Sequence, residues 1–253
     1  MKARGVPLLD VDPDLANGLG SEEMRLARAH TLAWTIDIHG PSWSPEEISR
    51  QATPGWLGLF LVDGVMIRTV RVENRVACEV FGPGDLFRPW DADGEYAPLS
   101  VCLGWRVLRT TRLAVLDVDF ARRVGRWPTI LSELISRVAR RARALALNHA
   151  ASHLSNAETR LTILFWLLGE RWGRVGTAGI TVTLPLTHET LAMLVGVRRP
   201  SVTLALGRLS DAGMLERHAS DRWLLTNRAV DALTREKGPP GHRAGAPHEP
   251  EAP

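Results

Sequence analysis

The chain has 253 residues, 45% of them apolar and 23% charged, the make-up of a globular protein of one large or two modest domains. Its two cysteines, Cys78 and Cys102, exclude a disulfide scaffold and any zinc or iron–sulfur site built on four thiolates. The net charge is only +3, yet residues 1–60 hold five basic side chains against eight acids, a local −3, and residues 122–143 hold seven arginines against Glu133, a local +6, which points to an anionic partner at the middle or end of the chain.

The N-terminus MKARGVPLLDVDPDL lacks the apolar run of a signal peptide. The longest strongly apolar stretch, ILFWLLG at 163–169, is far short of the roughly 20 residues a bilayer requires. A cytoplasmic protein with no membrane partner is expected. Residues 12–29 read as a helix: Asp12 can cap it, Pro13 fits a first turn, and Leu15, Leu19 and Leu26 are its apolar positions. From 30 to 120 short runs rich in Val, Ile, Leu and Trp alternate with breaks: TLAWTIDI, LGLFLVDGVMIRTVRV, ACEVFGPGD, VCLGWRVL and RLAVLDVDF. Asp63-Gly64 reads as the tight turn of a hairpin, and the strand spacing implies a β sandwich, roll or barrel.

Pro128 opens a long helix in which Leu131, Leu134, Val138, Leu145 and Ser152 keep to one stripe, with Ile135 and Ala142 beside it. That approaches a coiled-coil repeat over three heptads, and Arg137, Arg140, Arg141 and Arg143 surround it. A second helix is expected over 157–172, capped by Asn156 and stopped by Gly173. A strand, ITVTLP, then leads to helices near 187–194 and 199–211 and a hairpin, MLERH and RWLLT, turned by Ala219, Ser220 and Asp221. The Pro-, Gly- and Ala-rich tail at 238–253 is expected to be disordered. The resulting division is an N-terminal helix plus β domain at 1–127, a dimerisation helix at 128–153, a DNA-binding domain at 154–237, and the tail.

The segment LTHETLAMLVGVRRPSVTLALGRLSDAGMLER, residues 186–217, carries the chemistry. Thr187 can cap a helix whose inward residues are Leu191, Leu194 and Val195. Gly196 permits a sharp turn, Pro200 suits the first turn of the next helix, and Val202, Leu206 and Leu209 face inward from it. Two short helices with a glycine turn and a following hairpin make a winged helix-turn-helix. The second helix presents Arg199, Thr203 and Gly207, flanked by Arg198 and Arg208. Arg donates two parallel bonds to guanine O6 and N7, and Thr meets a base edge or a thymine methyl. Ser201 and Thr187 lie near helix N-termini, where phosphate is favoured, and His218 and Arg222 on the wing are placed for the backbone or the minor groove. The alternative is a helical hairpin with merely solvated arginines. The joint match of turn, proline, apolar spacing and wing favours DNA.

On these residues the sequence resembles the Crp/Fnr family of bacterial transcription regulators. The motif TLAMLVGVRRPSVTLALGRLSDAGML is the specific part; FGPGDLF and RLAVLDVDF are weaker. The resemblance implies an α+β fold: a cyclic-nucleotide-binding-like β-roll, a long dimerisation helix and a winged helix-turn-helix. It also implies a homodimer on a palindromic operator in double-stranded DNA, with RNA polymerase as a further partner candidate. Arg199 matches the family's base-contacting arginine. Pro200 stands where many members carry a base-reading Glu, so the operator preference should differ.

The family's cyclic-nucleotide cassette is not recognisable. Gly84-Asp85-Leu86-Phe87 is followed by Arg88-Pro89 instead of Gly-Glu, and Arg109-Thr110 lies later than the phosphate-holding pair. Gating by cyclic AMP is therefore not expected. Gly84, Asp85, Arg88 and Arg106 are the effector candidates, against the commoner reading of exposed strand-edge arginines, and a cyclic nucleotide or another small effector is the alternative function. Cys78 and Cys102 read better as small apolar residues than as a redox pair. His149 and His153, four apart on the long helix, read better as a polar end to its stripe than as a metal site, so no metal or cofactor is expected. Trp34, Trp56, Trp90 and Trp105 read as filling of the roll. Residues 55–120 contain no histidine, which argues against a cupin-like metalloenzyme, and no enzymatic activity is expected.

Overall fold

The computed structural model describes residues 4–90 and 102–235; the expected disordered tail lies outside them. The chain opens with β1 (Arg4–Pro7), α1 (Leu8–Val11), a 3-10 turn over Pro13–Ala16, and α2 (Ser21–His30). The single helix expected over 12–29 is thus broken in two. The break falls at Gly18, whose φ of +93° leaves the helical region. Leu8, Leu15 and Ala16 are buried, so this segment packs through the turn instead of a continuous helix face.

β2 (Leu32–Ile38), β3 (Ser42–Trp43) and α3 (Glu46–Gln51) follow, then β4 (Gly58–Val72), β5 (Arg75–Phe81), β6 (Leu86–Phe87) and β7 (Cys102–Leu116). These strands form one antiparallel sheet ordered β1-β2-β7-β4-β5, with β3 on β7 and β6 on β4. The hairpin expected at Asp63-Gly64 does not form: β4 runs straight through it. Both flanks pair with the same strand, Leu61 with Leu113 and Met66 with Val107, and the register shifts between them. The pair is therefore a bulge. Gly64 is required there because φ is +107° and a Cβ would stand 2.5 Å from the Thr111 Cα. The bulge also exchanges the two faces: Leu59 and Leu61 point into the roll before it, Met66 after it. The actual hairpin joins β4 to β5 through Glu73 and Asn74, with Glu73 at φ 51°. Likewise CLGWRVL and RLAVL are halves of one strand, β7.

Inside the roll Trp56, Trp105, Phe81 and Phe87 pack together, with Trp34 and Trp90 partly buried against them, so the tryptophans fill a core. Outside it, Phe60, Ala114 and Leu116 meet the N-terminal segment and the start of the long helix. DVDF leaves the sheet: the Asp117 side chain accepts from Phe120 N at 2.8 Å and caps α4 (Val118–Val124).

α5 (Pro128–Ser152) is the long helix, and α6 (Ala157–Trp172) is capped by Asn156, which accepts from Glu158 N at 2.8 Å. The remainder is β8 (Arg174–Gly176), β9 (Gly179–Thr183), α7 (His188–Val195), α8 (Arg199–Asp211), β10 (Leu215–Arg217), β11 (Arg222–Thr226) and α9 (Asn227–Arg235). The second sheet is ordered β10-β11-β9-β8; β8 and α9 have no counterpart in the sequence reading. The core of this unit is continuous with Val65, Ile67, Cys78 and Val80 on the outer face of β4 and β5. The winged domain therefore sits against the sheet.

Candidate nucleic-acid interface

Local chemistry sets the angle of the two helices. The Thr187 hydroxyl accepts from Thr190 N at 3.1 Å and caps α7, and Gly196 takes the left-handed conformation at φ +68°. Pro200 lies in the first turn of α8, where no N–H is missed. Leu191, Leu194, Val195, Val202, Leu206 and Leu209 are buried over Phe165 and Trp223, as the apolar spacing required.

α8 consequently exposes Arg199, Ser201, Thr203, Leu204, Gly207 and Arg208. They divide into two sides. Thr203 Oγ1 lies 3.0 Å from His188 Nδ1 and 3.3 Å from the Arg199 carbonyl oxygen, so Thr203, Arg199 and His188 stand together. Ser201, Leu204 and Arg208 instead line a shallow cleft with Asn156 and Glu158 at the start of α6. There Arg208 Nη1 is 2.9 Å from Glu158 Oε1, and this bond holds the Glu158 carboxyl below its ordinary range. Arg198 and Arg199 make no side-chain hydrogen bond or ion pair among the described residues. On the wing Arg222 is exposed and His218 pairs with Glu216 at 3.2 Å. Sequence reasoning missed three groups. Leu204 is 65% exposed on the outward face of α8. Arg217 braces the wing turn by donating to Ala219 O and Ser220 O and stacks on Trp223. His188 was invisible because its partner lies on the neighbouring helix.

His188 carries a pH signature. Burial, then Arg217 and Arg199, hold its imidazole below the ordinary value of 6.5. The folded state therefore binds fewer protons than the unfolded one, and stability is lost as pH falls from about 6.5 through the lowered value. Thermal unfolding followed from pH 7 to pH 5 should show a fall in Tm that is smaller in His188→Gln.

The four effector candidates are not brought together. Asp85 accepts from Gly82 N at 2.9 Å and from Arg171 Nη2 at 2.7 and 2.6 Å; it belongs to the contact between sheet and winged domain. Gly84, at φ +87°, lies against Arg137. Arg88 donates to the Trp56 and Leu57 carbonyls, and Arg106 is exposed on β7. A different set converges instead. Glu79 is buried between Arg68 Nη2 at 2.8 Å and Arg141 Nε at 3.0 Å, and both guanidiniums lie over the Phe81 ring. Burial raises the Glu79 carboxyl against the pull of Arg141 and Arg68, and burial lowers Arg141. Arg68, Arg141 and the candidate Arg88 line a cleft of about 700 Å³ between the roll and α5, whose remaining walls, among them Leu57, Leu86, Phe87 and Val138, are apolar.

Cys78 and Cys102 are both free. They pair with Thr69 and Arg71 from opposite sides of β4, which puts them two strand spacings apart, roughly 10 Å, beyond the reach of a disulfide. Burial pushes the Cys78 thiol up to about 12, and its Sγ lies 3.9 Å from the Thr190 carbonyl under α7. A thiol reagent at neutral pH should modify exposed Cys102 promptly and Cys78 only in denaturant, measured by mass spectrometry of timed aliquots.

A roll joined by a long helix to a winged helix-turn-helix is the architecture of Crp/Fnr-type regulators. Residues 159–235 match the family model of the Crp-like helix-turn-helix domain. The regulatory protein CysR of Synechococcus elongatus is 38% identical over 77 residues, which cover 29% of this chain and 36% of that relative. The matched segment thus spans about a third of the relative's length. Among solved structures, a CooA mutant from Carboxydothermus hydrogenoformans superposes with a TM-score of 0.60 at 16% identity, covering 93% of this chain and 97% of that one. FixK2 from Bradyrhizobium japonicum gives 0.56 at 17% identity over 79% and 96%. The chain has the Crp/Fnr-type fold and carries a Crp-like helix-turn-helix domain. No helix among the described residues is long and apolar enough to cross a membrane.

Proposed function

We propose that this chain is a transcription regulator that binds a two-fold-symmetric operator as a homodimer, with α8 of each copy in a major groove. The observation that carries the reading is the pair Arg199 and Thr203, exposed and side by side on a helix whose preceding glycine turn, first-turn proline and buried face are in place. Arg198, Arg222 and the phosphate-facing ends of α7 and α8 supply sequence-independent, salt-dependent affinity. Arg208 acts mainly in holding α8 to α6, because Glu158 occupies it. Dimerisation is supported by the exposed stripe Ile135, Val138, Ala142 and Leu145, which repeats at steps of three and four along α5.

Gating by a small effector is supported by the cleft lined by Arg68, Arg88 and Arg141, whose apolar walls and three guanidiniums suit an amphipathic anion. A cyclic nucleotide is disfavoured, since Arg88-Pro89 provides no carboxylate for a ribose. Selection from a randomised DNA pool, with and without cyclic AMP and cyclic GMP, tests both points. A palindrome enriched without nucleotide is the expected result. Enrichment only with nucleotide would overturn the effector reading, and enrichment of no sequence in any condition would mean either that binding requires another anion in the cleft or that the helix-turn-helix does not read DNA.

A further inference from the structure

The long helix ends on a feature that DNA binding does not use. His149 and His153 are exposed, with ring centroids 5.0 Å apart and planes at 83°. Neither imidazole makes a side-chain hydrogen bond or ion pair among the described residues. Two imidazoles on one tetrahedral zinc, with Zn–N bonds of about 2.1 Å, place their centroids roughly 5 Å apart, so the observed spacing already suits a shared ion.

Their place on the helix matters as much as their spacing. Steps of three and four carry the stripe from Ile135 through Val138, Ala142 and Leu145 to His149, so His149 occupies the last turns of the seam proposed for the dimer. His153 is displaced to one side of that seam, on the line of Ala139 and Ala146, whose small side chains let a second helix approach closely. A two-fold axis along the seam brings His149 and His153 together with the same two residues of a second copy. Four imidazoles left without a ligand at such a seam are unfavourable: neutral rings strand polar nitrogens, and protonated rings repel. From Ile135 to Leu154 the helix carries no carboxylate, so the donor set is nitrogen only, which selects zinc or a similar borderline ion over magnesium or calcium.

We infer that the C-terminal ends of the two α5 helices in a dimer bind a divalent ion of the zinc type between them, through His149 and His153 of each copy. The inference rests on the homodimer proposed above. In the dimer, the ion clamps the helix ends from which the two winged domains depart and so sets the separation of the two α8 helices.

The experiment is a zinc titration of the untagged full chain against a chromophoric chelator, with sedimentation velocity on the same samples. The expected result is about one zinc ion per two chains, on a particle of dimer mass before and after addition. His149→Gln and His153→Gln should each lose that uptake. Since His149 lies in the seam, His153→Gln is the variant required to remain dimeric. A dimer that takes up no zinc, takes one ion per chain, or binds zinc unchanged in both variants overturns the inference and leaves the dimer standing. A monomer with and without zinc overturns the dimer reading and this site with it.

Discussion

Arg171→Met should lower the free energy of unfolding by about 3 kcal/mol, and it should weaken binding to a palindromic operator more than binding to an isolated half-site. The Arg171 guanidinium links the winged unit to the roll. Nη2 donates to both Asp85 oxygens at 2.7 and 2.6 Å, Nη1 reaches the Val80 carbonyl at 3.4 Å, and the group stacks 3.9 Å above the Trp172 ring. Trp172 in turn donates to the Pro83 carbonyl at 3.0 Å and lies so close to Gly82 that a Cβ there would meet the indole at 2.7 Å. Methionine keeps the apolar stem but leaves the Asp85 carboxylate largely buried with only the Gly82 N–H, and removal of one partner from a buried pair is the costly case. Urea unfolding measures the first effect. A double-mutant cycle with Asp85→Asn separates the pair from its surroundings and should return a coupling above about 1 kcal/mol. The second effect follows because α8 is presented from a domain held by this contact. Loosening it enlarges the range of orientations that two half-sites must select from, whereas one half-site makes no such demand. Equal weakening on both DNAs would show that Arg171 affects the recognition helix itself.

This contact also marks where sequence reading stopped. The winged unit was legible because its signals are local. Asn156, Thr187, Gly196 and Pro200 each act within a few residues, and the bounds of α6 and α8 fall where those residues placed them. The roll was legible only as a class. Asp63-Gly64 has the composition of a turn, and only the shared pairing of both flanks with β7, forty and more residues away, makes it a bulge. The effector candidates show the same limit: of the four, only Arg88 lines the cleft beside Arg68 and Arg141. Gly84, Asp85 and Arg88 are one phrase in sequence yet serve two different contacts. Arg68, Glu79 and Arg141, on two strands and a helix, converge without any motif. At the interface Arg199 and Thr203 share a face that helical spacing predicts, whereas the His188–Thr203 contact needs the crossing of two helices.

Arg199→Ala should leave the Tm unchanged, cost about 1–3 kcal/mol on the selected operator, and relax the sequence preference of each half-site at the base it contacts. The fold is indifferent because the Arg199 side chain is exposed and makes no hydrogen bond or ion pair among the described residues; only its backbone carbonyl holds Thr203. DNA is not indifferent. A guanidinium at the start of a recognition helix offers two parallel donors to guanine O6 and N7, an arrangement no phosphate contact reproduces. The distinction appears in two readouts of one titration. Loss of a base contact weakens the specific site more than random DNA at every salt concentration. Loss of a phosphate contact weakens both alike and flattens the salt dependence by about one ion per copy. Arg198→Ala, one residue earlier and outside α8, should behave in the second way. Pro200, beside Arg199 in the same first turn, offers no donor or acceptor from its side chain, so discrimination at its base step should be weak. If Arg199→Ala weakens operator and random DNA equally, base reading passes to Thr203, the other exposed side chain on the same side of α8.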